Sequence, residues 1–235
     1  MAVSANALFH FTNSLDNLVS ILSSGGFWPR YCIEYGFKKR VAVCQCCFCD
    51  IPLSDIQNHT KRYGYFGLGM RKEWGFSNGL SPVLYFIKDS NMGKNILAMA
   101  KNTNDNNRRQ LLSMLKVYKG VNYHKGINGE NTRIINYLYY NEREWRYVPH
   151  MLDTKDLCIF IEKGEKEEEK IQKLNEKTKS MLLRFMVDDI KYIVVDDSQI
   201  NKLLEEIKNM RKYSDQEKEL LVSKIITKEL IINDI

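Results

Sequence analysis

The segment Tyr140 to Tyr147, Tyr-Asn-Glu-Arg-Glu-Trp-Arg-Tyr, limits what this chain can build more than any other stretch. Strand periodicity sends Glu142, Glu144 and Arg146 to one face and Arg143, Trp145 and Tyr147 to the other. Two carboxylates side by side on a strand face repel each other unless a cation or a ligand hydroxyl lies between them. A sheet that carries this pair must therefore hold either a charge network or a site. A second segment, Ala7-Leu8-Phe9-His10-Phe11-Thr12, reads as an apolar and aromatic strand around one histidine and runs directly into a helix start. The two segments are expected to be halves of one active site, with His10 and Glu144 on adjacent central strands facing the same cleft.

Bulk properties narrow the classes. With 235 residues, 44% hydrophobic and 11% aromatic, the chain can bury one sizeable core, or one core with a helical appendage. No apolar run approaches the roughly 20 residues that cross a bilayer. The first residues lack the basic region and small-residue cleavage site of a secretory signal. A cytoplasmic protein without a membrane partner is expected. The net charge of +6 is spread over small clusters such as Lys38-Lys39-Arg40, Lys61-Arg62 and Arg108-Arg109. These suit a solvated surface or a polyanion, but no DNA-binding motif accompanies them, so support for a nucleic-acid partner is weak.

Four of the six cysteines crowd into Cys44-Gln45-Cys46-Cys47-Phe48-Cys49. Structural zinc sites pair two ligands two to four residues apart with a second distant pair, and no second close Cys/His pair stands in this chain. Alternation also splits Cys47 and Cys49 from Cys44 and Cys46. No metal is expected; the cysteines read as small hydrophobes of a buried strand, reduced in a cytosolic setting.

Along the chain, Asn13 or Ser14 can cap a helix to about Ser23 with Leu15, Leu18, Val19 and Leu22 as its stripe, and Gly25-Gly26 ends it. Arg40 to Asp50 reads as a buried strand, and Ser54 or Asp55 as the cap of a helix that aligns Ile56, His59 and Tyr63. Gly64 to Met70 carries three glycines among large residues, as in a strand whose backbone something approaches closely. Ser81 to Ile87 reads as a strand, Met92 to Lys119 as a broken helix, and the region of Gly120, Gly126 and Gly129 as a loop. Leu157 to Glu162 and Asp189 to Val195 read as strands around a charged helix over 163–179. From Ile200, the positions Leu203, Leu204, Ile207, Leu220, Leu221, Ile225 and Ile226 recur at helical spacing. Strands and helices do not alternate strictly, so the expected class is α+β: a core over 1–199 and a helical C-terminal extension over 200–235, packed on the core or on a partner.

The ordered succession Leu8-Phe9-His10-Phe11-Thr12, Pro29-Arg30-Tyr31-Cys32, Cys47-Phe48-Cys49-Asp50-Ile51-Pro52-Leu53, Tyr63 to Gly69, Pro82-Val83-Leu84-Tyr85 and Glu142-Arg143-Glu144-Trp145-Arg146 resembles the AbiGi family of bacterial abortive-infection proteins. That resemblance implies an antitoxin encoded beside a nucleotidyltransferase-like toxin. A more distant similarity is to the ADP-ribosyltransferase fold, a mixed or split sheet flanked by helices, with a histidine strand, a glycine-and-aromatic strand and a late glutamate strand. It implies that NAD is bound, with His10 and Thr12 on the ribose of the nicotinamide side, Tyr65 or Tyr85 stacked on the nicotinamide, and Glu144 on the ribose 2′-hydroxyl. Such a carboxylate would stabilise the positive charge that builds on the ribose as the glycosidic bond breaks, and Glu142 could orient or deprotonate an acceptor.

Each of these residues has a structural alternative. His10 can be a core histidine bonded to a carbonyl, Glu142 and Glu144 can pair with arginines, and the tyrosines can be half-buried sheet residues. Three functions therefore stand open: an enzyme that cleaves NAD, by transferring ADP-ribose to a phage or host macromolecule or by hydrolysis; a non-catalytic antitoxin that neutralises its toxin; and, with only the basic clusters behind it, a nucleic-acid-binding regulator.

Overall fold

The computed structural model describes residues 4–34, 37, 40–125, 131–150, 156–161 and 166–234. The strands, in chain order, are β1 (Leu8–Thr12), β2 (Gly26–Phe27), β3 (Arg30–Glu34), β4 (Arg40–Cys49), β5 (Phe66–Met70), β6 (Ser81–Pro82), β7 (Leu84–Phe86), β8 (Leu115–Val117), β9 (Lys119–Lys125), β10 (Asn131–Leu138), β11 (Glu144–Tyr147), β12 (Cys158–Ile161), β13 (Leu183–Arg184), β14 (Ile190–Val195) and β15 (Ile225–Thr227). The α-helices are α1 (Leu15–Ser24), α2 (Gln57–Tyr63), α3 (Lys72–Ser77), α4 (Asn91–Asn102), α5 (Asp105–Met114), α6 (Glu167–Lys177), α7 (Ile200–Asn209), α8 (Asp215–Val222) and α9 (Lys228–Asp234).

One mixed sheet organises the molecule, in the order β15-β14-β5-β1-β4-β11-β6, with β3 and β12 also paired to β4. All its pairings are antiparallel except β14 with β15. The class is α+β, as the irregular alternation of elements implies. Strand β4 is the hub. Its ten residues are nearly all buried, because the first half is flanked by β3 and β12 and the second by β1 and β11.

The local signals hold where they are short-range. Ser14 accepts from the Asn17 N–H at the start of α1, and Gly25 ends that helix in the left-handed region at φ 64°. Leu15, Leu18 and Leu22 point from α1 into a core shared with Phe27, Phe48, Trp74, Ile193 and Leu203. The glycine-rich strand is also present, but what approaches it is β1. A Cβ on Gly67 would lie 2.7 Å from the His10 carbonyl oxygen, and one on Gly69 would lie 2.7 Å from the Phe9 ring. The glycines there serve strand packing and not a ligand.

Several expectations are corrected. Ser54 and Asp55 lie in a 3-10 turn, Leu53–Asp55, and α2 begins after it with no side-chain cap. The expected loop around Gly120 is instead the β9–β10 hairpin; Gly126 and Gly129 lie outside the described residues. The C-terminal stretch is not purely helical, because Ile225 and Ile226 sit in β15, a strand of the main sheet. Leu221 is fully buried and Ile231 nearly so, which knits residues 200–234 into the core. Among the described residues no helix is long and apolar enough to cross a membrane.

Candidate functional site

Glu144 sits at the start of β11, opposite Cys49 of β4, and Cys49 in turn lies opposite Phe9 of β1. Directly opposed residues share a face, so Glu144 and Phe9 face one way and His10 the other. His10 packs in the aromatic core, its ring centroid 5.1 Å from Phe27 and 5.5 Å from Phe48, and its Nδ1 donates to the Cys47 carbonyl at 2.8 Å. Burial holds its imidazole below the ordinary value, against that hydrogen bond, which favours the charged form. The expected convergence of His10 and Glu144 is therefore corrected: β4 separates their strands, and they lie on opposite faces of the sheet. No single ribose could touch both.

The other expected NAD-binding residues also disperse. Thr12 accepts a hydrogen bond from the Asn17 side chain at 2.9 Å. The Tyr65 ring lies under the Lys228 ammonium at 4.2 Å, in contact with the C-terminal region. Only Tyr85 meets the glutamate strand, its hydroxyl accepting from the Glu144 N–H at 2.9 Å.

What surrounds Glu144 is a closed ion cluster. Arg146 donates from Nε to Glu144 at 2.6 Å, from Nη2 to Glu34 at 2.5 Å, and from Nη1 to the Ser113 carbonyl at 3.0 Å. The Lys116 ammonium stands 3.1 Å from both Glu34 and Glu144, and Gln45 donates to Glu34 at 3.1 Å. Two carboxylates thus face two cations, with side-chain exposures of 2% for Glu34, 6% for Glu144, 3% for Arg146 and 12% for Lys116. Burial alone would raise the Glu144 carboxyl, but Arg146 and Lys116 outweigh it and hold it at about 2. The repulsion evident in the sequence is relieved inside the fold. Arg146 was legible as a partner; Lys116, Glu34 and Gln45 were not, because β8 and β3 reach the cluster only through tertiary structure.

Glu142 takes a different route. The expected strand over 140–147 is interrupted, since residues Tyr139–Glu142 form a 3-10 turn and Arg143 adopts φ 43° before β11 begins. The Glu142 carboxylate accepts from the Tyr63 hydroxyl at 2.6 Å and the Tyr137 hydroxyl at 3.1 Å. Burial raises its pKa. These three side chains tie α2 to the end of β10 beside a cleft of about 720 Å³, which His59 and Arg62 line from α2 and Tyr137, Tyr140, Asn141 and Arg143 line from the other side. Arg62 was visible in the sequence as half of the Lys61-Arg62 pair, but only the tertiary fold brings it to this cleft.

The four crowded cysteines fall along β4 with free thiols; Cys44, Cys46 and Cys49 are buried, Cys47 partly so. Among the described residues no group of three or more His, Cys, Asp or Glu is arranged to hold a metal ion.

Comparison with known proteins gives one family model over residues 26–196, described as "Putative abortive phage resistance protein AbiGi, antitoxin". The chain is also similar to the "Abortive phage resistance protein AbiGi" of Lactococcus lactis subsp. cremoris, 28% identical over 217 residues that cover 80% of this chain and 87% of that protein. No solved structure matches.

Proposed function

This chain belongs to the AbiGi family of abortive phage resistance proteins, and on that premise we propose that it is an antitoxin that binds and restrains a toxin protein, and not an NAD-dependent transferase. The observation that carries this reading is the closed ion cluster. A transferase needs a carboxylate that a ribose hydroxyl can reach, whereas both Glu144 oxygens bond Arg146 and Lys116 inside the protein. With His10 on the far face of the sheet, the residues expected to hold NAD do not meet in one cleft.

A surface suited to a protein partner supports the same reading. Met92 and Met99 lie seven residues apart on one face of α4, 72% and 66% exposed, and Ile87, 58% exposed, lines one small cleft with Met92. Large exposed apolar side chains on one helix face suit an interaction site, and methionine adapts its shape to a partner.

Growth of cells that express the toxin of the pair, with and without this chain, tests the proposal. Met92→Asp with Met99→Asp is expected to abolish both protection and copurification with the toxin at an unchanged melting temperature. Glu144→Gln leaves Arg146 and Lys116 in excess and should cost about 3 kcal/mol of stability, as for other broken buried pairs. The purified chain should release no nicotinamide from NAD. Nicotinamide release that Glu144→Gln abolishes at unchanged stability would restore the transferase.

A further inference from the structure

Among the described residues, two other than glycine adopt a positive φ, Asn136 at 63° and Arg143 at 43°. Both line the cleft beside Glu142. Left-handed backbone is routine for asparagine but uncommon for arginine, so Arg143 is the strained position of the two, and such strain persists where surrounding structure enforces it, commonly at ligand sites. Asn136 falls within the irregularity of β10, where the register with β9 shifts between Ile134 and Tyr137. Arg143 marks the break that separates Glu142 from β11.

The chemistry of the cleft is specific. The Arg62 guanidinium lies 3.9 Å over the Tyr137 ring, and its buried Nε has no hydrogen-bond partner. The guanidinium lines the cleft, and its fork matches phosphate geometry. The Tyr140 ring, 50% exposed, offers a flat apolar face at the rim. Asn58, Asn136 and Asn141 present amides that can donate and accept along a planar heterocycle, and the Asp55 carboxylate can accept from sugar hydroxyls. The volume of about 720 Å³ lies within the range of small-ligand sites, about 300–1,000 Å³.

We propose that this cleft binds a free nucleotide, its phosphates on Arg62 and its base against Tyr140 and the neighbouring amides. The inference does not depend on the antitoxin reading, because it is measured on the purified full chain without a toxin. Titration calorimetry with each of the four common ribonucleoside triphosphates, and with inorganic phosphate alone, tests it. At least one triphosphate is expected to bind, and inorganic phosphate much more weakly. Arg62→Lys, which keeps the charge and loses the fork, should weaken that binding about tenfold. Tyr140→Ala, which removes a half-exposed ring packed beside Tyr85 and Tyr118, should weaken it about fivefold or more at a melting temperature within a few degrees of wild type. The proposal is overturned if no triphosphate binds at millimolar concentration, if phosphate binds as well as any triphosphate, if a short single-stranded oligonucleotide binds more tightly than all of them, or if neither variant changes the affinity.

Discussion

Burial and the adjacent Arg62 guanidinium together push the His59 imidazole down to about 4, well below the ordinary 6.5. A neutral imidazole is therefore favoured by the fold. Its contribution to stability is complete above pH 6.5, where the unfolded chain is also neutral, and is lost as pH falls through 4. The contribution is on the order of 3 kcal/mol, taking 1.36 kcal/mol for each unit of difference. Chemical denaturation at stepped pH should show stability falling between pH 6.5 and 4, and His59→Gln should flatten that slope. His10, also lowered by burial, keeps its own share of the slope in the variant. An identical profile in wild type and variant would rule out the assigned environment of His59.

Strand β5 illustrates how an element and its close approach can be legible while the identity of the neighbour is not. Its glycines were visible as positions of close approach, but the neighbour is the backbone of β1 and the rings of Phe9 and Phe11. Gly67→Ala should cost about 1–3 kcal/mol in a thermal or urea melt, as in other overpacked cores, because its Cβ meets the His10 carbonyl. A neutral effect would show that β1 and β5 can separate at no cost. Elements set by neighbouring residues were legible: α1 with Ser14 and Gly25 at its ends, and the largely apolar β4, broken only by Gln45 after its first residue. Elements set by distant partners were not. Ile225 and Ile226 fit a helical stripe by spacing, yet pairing with Val194 and its neighbours on β14 draws them into a strand. The glutamate pair was likewise legible as a strain to be relieved. Its relief lay with Lys116 and Glu34, which no periodicity connects to it, and the cleft beside Glu142 depends on backbone at Asn136 and Arg143 that residue types do not announce.

At the scale of the whole molecule, the C-terminal region behaves as part of the sheet. Removing residues from Ser214 onward deletes α8, β15 and α9, uncovers the edge of β14, and withdraws Leu221 and Ile231 from two separate parts of the core. Such a truncation is expected to be insoluble, or to lose its cooperative melt as followed by circular dichroism. A soluble truncation with the wild-type melting temperature would make residues 214–235 an appendage after all.

The strand order has a consequence for how the protein is made. Strands β1, β4 and β5 leave the ribosome early, yet the far side of β5 stays open until β14 arrives, about 120 residues later (190 − 70), and β14 waits again for β15. At roughly 5–20 residues per second, that interval lasts on the order of ten seconds. Throughout it the nascent chain carries an apolar, unpaired strand edge, the kind of surface that recruits a second chain. The yield of folded molecules is thus expected to rise when Phe66–Met70 is shielded until the last quarter of the polypeptide has been synthesised, as expression with and without added chaperone would show.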